Sequence, residues 1–131
     1  MRLLLDTHVL LWWLGDDPKL TRDARALIAN PDNDVIVSSA SVREMSIKAA
    51  VGRLQIELEE IEKAIAKTGF QSLPIGMRHA MTAGCLPAVH RDPFDRLLVA
   101  QASIEELRLV SHDHVFERYG LRDQGFPPIV V

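Results

Sequence analysis

The chain has 131 residues, 47% of them apolar, one cysteine (Cys85) and a formal net charge of −3. That length is one domain with room for a core that needs no staples, the apolar share excludes a disordered chain, and a lone cysteine excludes an internal disulfide and fits a reducing compartment. The weakly acidic balance argues against indiscriminate electrostatic binding to nucleic acid, although a local basic patch stays compatible with it.

The opening Arg2–Leu5 is a short apolar run that meets an acid at Asp6, a poor start for a signal peptide. Thr7–Leu14 reads as a helix closed by Gly15, and Asp16-Asp17-Pro18 as a turn. Its strongly apolar part, Val9–Leu14, is far too short to span a bilayer. A second helix follows over Thr21–Ala29, with Thr21 as its N-cap. Asn30–Asn33 is a loop, and the β-branched Asp34–Val37 a buried strand. Ser41–Val51 reads as a helix ended by Gly52, and Leu58–Thr68 as an amphipathic helix ended by Gly69. Gln71–Leu73 is a short strand, Arg78–Ala83 a helix, Pro93–Glu106 a helix and Arg108–Val110 a strand. His114–Arg118 makes one helical turn, and Ile129–Val131 an edge strand. Strands alternating with helices predict a single α/β domain over 1–131, a three-layer sandwich around a short, mainly parallel sheet. The expected setting is cytoplasmic.

Sites in such sheets lie outside the carboxyl ends of the strands. Asp6 directly follows the first strand, Glu44 falls in the first turn of the helix after the second, and Asp113 follows the strand ending at Val110. Asp95 sits at the start of its own helix, which a right-handed crossover brings to the same edge. Each acid also has a purely structural reading. Ser41-Val42-Arg43-Glu44 matches a capping box, and Glu44 with Lys48 is a favourable i,i+4 pair. Asp92 before Pro93 is an N-cap, Asp95 then complements the helix dipole, and Asp6 and Asp113 can serve the turns behind their strands. Four carboxylates at one edge nonetheless repel unless a cation sits among them. All are hard oxygen donors, which suit Mg²⁺ or Mn²⁺ rather than Zn²⁺, and the chemistry that fits is phosphodiester hydrolysis.

Five stretches, LLLDTHVLLWWL at 3–14, SSASVREMSIK at 38–48, LPIGMRHA at 73–80, LPAVHRDPFDRLLVAQA at 86–102 and LVSHDHVF at 109–116, together resemble the PIN-domain ribonucleases, in particular the VapC-type toxins of toxin–antitoxin pairs. The resemblance implies an α/β/α sandwich, Mg²⁺- or Mn²⁺-dependent cleavage of RNA, a homodimer and a cognate VapB-like antitoxin. It places the family's acids on Asp6, Glu44, Asp95 and Asp113, and its supporting hydroxyls on Thr7 and Ser111. Asp6, Glu44 and Asp95 then share the metals, and Asp113 acts through water. Without those four acids the formal balance is +1, so the negative charge is largely that of the site.

Arg43, Lys48, Arg91 and Arg96 are candidates for phosphate binding, with solvated helix surface, including an Asp92–Arg96 pair, as the alternative. His79 and His90 read as structural hydrogen-bonders, and His112 and His114 as solvent-facing variation. Trp12 and Trp13 diverge by about 100° on a helix, so one is expected in the core and the other along a groove that receives an antitoxin segment. Two rivals come from other classes. A haloacid-dehalogenase-like phosphatase needs an acid two residues beyond its first aspartate, where this chain has His8. A catalytically inactive RNA- or protein-binding module is disfavoured because no expected acid is missing.

Overall fold

A computed structural model describes all residues, 1–131. Five strands, β1 (Arg2–Leu5), β2 (Asp34–Ser38), β3 (Gln71–Leu73), β4 (Arg108–Ser111) and β5 (Ile129–Val130), form one sheet in the order β3-β2-β1-β4-β5. Every pairing is parallel, with Leu3 opposite Val35 on one side and Arg108 on the other. Parallel strands need crossovers, and six helices supply them: α1 (Thr7–Leu14), α2 (Arg22–Ala29), α3 (Ser39–Ala50), α4 (Leu58–Thr68), α5 (Met77–Cys85) and α6 (Pro93–Glu105). A 3₁₀ helix over His114–Tyr119 follows β4.

The period of two along each strand divides the core. Leu3, Leu5, Val35, Val37 and Val110 face one way, toward Val9 and Leu10 of α1, Ala24 and Ile28 of α2 and Ile61 of α4. Leu4, Ile36 and Leu109 face the other, toward Leu98, Val99 and Ala102 of α6 and toward Phe116 and Tyr119. Near-continuous apolar strands are what a sheet covered on both faces requires. The expected three-layer sandwich is therefore present.

The helix ends follow local chemistry. Thr21 caps α2 through the Ala24 amide. Gly69 ends α4 with φ 75°, a left-handed conformation that suits glycine. The start of α3 departs from the sequence reading. Its N-cap is Ser38, whose hydroxyl accepts from the Ala40 amide, so the helix begins at Ser39 rather than Ser41. Ser41 and Glu44 thus form no capping box, and Glu44 lies in the second turn, not the first. β2 runs into α3 without a loop, leaving Ser38 as the last extended residue, with its oxygen free to cap. No helix is long and apolar enough to cross a membrane.

Candidate active site

β1 lies at the centre of the sheet, between β2 and β4, and the winding reverses between β1 and β4. That switch point opens a crevice at the strands' carboxyl ends. Asp6 is fixed there by its neighbours. Its N–H donates to the Val110 carbonyl at 3.0 Å, and its Oδ1 caps α1 by accepting from the Val9 amide at 2.8 Å. Its Oδ2 accepts from the Ser111 hydroxyl at the end of β4. Ser111 also accepts from the Asp113 N–H at 3.0 Å, while Asp113 Oδ1 caps the 3₁₀ turn through the Val115 amide at 2.9 Å. One serine therefore links the first and last acids.

Thr7, the next residue, ties the rim to α3. Its hydroxyl donates to Glu44 Oε1 at 2.8 Å and lies 3.1 Å from the Ser41 hydroxyl. Glu44 Oε2 pairs with Lys48 Nζ at 3.0 Å, the i,i+4 partner expected from the sequence. Asp95 enters from the first turn of α6, where its Oδ2 lies 3.1 Å from His90 Nε2. Asp92 serves differently: its Oδ1 accepts from the amides of Phe94 and Asp95 at 2.9 and 3.0 Å.

The electrostatics single out two of the acids. Burial raises the carboxyl of Asp6 above the usual range, against the opposing pull of the Ser111 hydroxyl, the Val9 amide and the nearby His112 and His8. Burial pushes Asp95 up to about 6, opposed by the His90 hydrogen bond and reinforced by the charges of Asp92 and Asp6. Asp6 and Asp95 thus feel one another in a partly dry crevice. No three acid, histidine or cysteine side chains form a ready-made metal-holding group. The acids are hard oxygen donors, and Asp6 and Asp95 could hold a divalent cation with water completing its shell. Glu44 is engaged by Thr7 and Lys48, and Asp113 through Oδ1 alone by the Val115 amide, just as both Asp6 oxygens are engaged by Val9 and Ser111, so hydrogen bonding by itself sets none of the three apart.

The candidate cations divide as well. Arg43 and Arg91 are exposed. The guanidinium of Arg96 is taken up by main-chain carbonyls of Ala83, Leu86, Pro87 and His90, at 2.9, 3.0, 2.9 and 3.4 Å. Arg96 thus does not pair with Asp92; it clamps the loop between α5 and α6.

Trp12 and Trp13 are both partly buried and pack against the core cluster beneath α1. Trp13 packs its ring 5.9 Å from that of Phe70, at the margin of the core. Trp12 lines an apolar groove of about 360 Å³ with Leu11, Leu14, Leu54, Ile56 and Ile61. His112, read as solvent-facing, is exposed but not isolated. Its ring lies 4.9 Å from Trp12 and 5.2 Å from His8, so this aromatic group joins the groove to the acidic rim. No sequence spacing signals it, because β1–α1 and β4 meet only through the sheet.

The model of the PIN domain family matches residues 3–121, and the chain belongs to that family. Among its relatives is Ribonuclease VapC22 of Mycobacterium tuberculosis, 30% identical over 118 residues, which cover 85% of this chain and 86% of that protein. Two solved structures share the fold. The crystal structure of VapBC2 from Rickettsia felis bound to a DNA fragment from their promoter superposes with a TM-score of 0.69 at 16% identity, over 100% of this chain and 98% of that chain. FitAcB from Neisseria gonorrhoeae does so with a TM-score of 0.68 at 19% identity, over 98% of this chain and 96% of that chain.

Proposed function

We propose that this chain is a divalent-metal-dependent endoribonuclease acting in the cytoplasm as the toxin of a type II toxin–antitoxin pair. The observation that carries the reading is the pair Asp6 and Asp95, two partly dry carboxylates whose charges oppose one another at the sheet's switch point. Family membership and the ribonuclease relative support the substrate class. Mg²⁺ or Mn²⁺ bound there supplies water activation and neutralises charge on the phosphate. Asp6 and Asp95 would hold the ion, Glu44 and Asp113 would orient water at the rim, Ser111 aims Asp6, and Thr7 aims Glu44. Arg43, Lys48 and Arg91 remain for the RNA backbone.

The antitoxin, a VapB-like protein in this reading, lays an apolar segment in the Trp12 groove and carries a basic side chain to the rim. Protein neighbours named VapBC support that partner. Met77 and Met81, 85% and 71% exposed one helical turn apart on α5, suit a homodimer face. Incubating the purified protein with total RNA, with Mg²⁺ or with EDTA, and mapping the new ends tests the enzyme. Discrete cuts with Mg²⁺ alone are expected; full cleavage in chelator would end the metal reading. Expression without a co-expressed neighbour tests the toxin: growth unaffected by accumulated wild-type protein would contradict it.

A further inference from the structure

Tyr119 closes the 3₁₀ helix and is buried, and its hydroxyl meets Nδ1 of His90 on the far side of the rim. A neutral phenol donates its one proton to an acceptor nitrogen, which leaves the imidazole proton on Nε2. That nitrogen faces Asp95 Oδ2. The ring is held edge-on by Phe116 and Tyr119, with centroids at 6.3 and 5.4 Å. Its main chain is held too, because Arg96 bonds the His90 carbonyl and the loop before it. The imidazole therefore has a fixed position, a fixed tautomer and one carboxylate target.

His79 offers an internal control built on the same plan. Its Nδ1 accepts from the Gly76 amide at 2.8 Å and its Nε2 faces Glu105 Oε1 at 2.9 Å. Glu105 ends α6, whereas Asp95 begins it. The same device thus joins two helices at one place and reaches the acidic rim at the other.

We propose that Tyr119 and His90 form a relay that positions Asp95, with Tyr119 setting the tautomer and His90 Nε2–H orienting the carboxylate toward a divalent cation. The inference rests on the reading of Asp95 as a metal ligand. Partners of this kind govern ligand orientation, and their loss costs about 10- to 100-fold in metal affinity.

The test is Mn²⁺ titration of the full chain, followed by electron paramagnetic resonance of free Mn²⁺, with a thermal melt on every variant. His90→Phe and Tyr119→Phe are expected to weaken Mn²⁺ by about tenfold or more. His90→Gln, which keeps an N–H donor within reach of Asp95, is expected to stay nearer the wild type than His90→Phe. A ring needed for packing alone predicts the reverse order. His79→Gln should lower the melting temperature and leave Mn²⁺ binding unchanged. Wild-type affinity in His90→Phe and Tyr119→Phe, beside weak binding in Asp95→Asn, would overturn the relay and leave the metal site standing. Wild-type affinity in Asp95→Asn would remove the metal-ligand reading itself. If His90→Phe does not fold, Tyr119→Phe decides, since it removes one oxygen and keeps the ring.

Discussion

At the end of β1, Asp6 is held by the Val9 amide and the Ser111 hydroxyl, groups that the strand–helix junction and the adjacent strand place there. At the start of α6, Asp95 is held by one imidazole, itself set by a tyrosine from another element. Both are carboxylates in a partly dry crevice. The first is oriented by the fold's most rigid parts, the second by side chains that substitution can remove one at a time. The difference lies in how each acid can be disturbed: Asp6 through the sheet, Asp95 through a few replaceable contacts. Asp92, one turn earlier, shows a third outcome, a carboxylate committed to backbone amides.

The largest expected effect separates charge from shape. Asp6→Asn and Asp95→Asn each remove a charge that a metal would neutralise, a loss of several kcal/mol in the transition state, so RNA cleavage should fall about a thousandfold. Cleavage kinetics on defined RNA check this, and wild-type rates in either variant would remove that acid from the site.

Next comes pH. Burial raises Asp6, and Asp95 to about 6, above the unfolded range. Between about pH 6 and pH 4 the folded chain holds protons that the unfolded chain has released. Lowering the pH from 7.5 to 5 should therefore stabilise the metal-free protein, by about 1 kcal/mol for Asp95. Mg²⁺ should stabilise it at pH 7.5 instead and lose its hold below about pH 6, where protons compete for the same oxygens. Melts in EDTA at the two pH values decide, and a higher melting temperature at pH 7.5 would contradict the buried-acid account.

A smaller effect is expected at Asp92. Removing an N-cap costs about 1 kcal/mol, so Asp92→Ala should unfold at lower denaturant with an unchanged slope. An effect of comparable size is expected of Lys48→Met, which takes the cation from a mostly buried pair, 28% and 11% exposed, and leaves Glu44 Oε2 unpaired. Stability should fall by about 1 kcal/mol or more, and affinity for RNA with it.

Much of this was legible in the chain itself. Apolar runs followed by acids located β1 and Asp6, and β4 and Asp113, because a strand end and its turn are local. Asp92-Pro93 marked the start of α6 for the same reason. The start of α3 was misplaced because two serines compete to cap it, and strand pairing rather than sequence decides that Ser38 is last in β2. Arg96 read as a surface cation because its carbonyl partners belong to the loop after α5, whose path only packing defines. The His90–Tyr119 contact joins residues 29 apart. No periodicity carries such a pair, so His90 read only as a structural hydrogen-bonder.

The contrast between the two aspartates of α6 is tested most directly by RNA turnover per folded molecule in Asp92→Ala and Asp95→Asn, measured side by side with saturating Mg²⁺. The account predicts that Asp92→Ala, although less stable, keeps substantial turnover, and that Asp95→Asn, folded and at least as stable without metal, keeps almost none. An active Asp95→Asn beside a dead Asp92→Ala would contradict it.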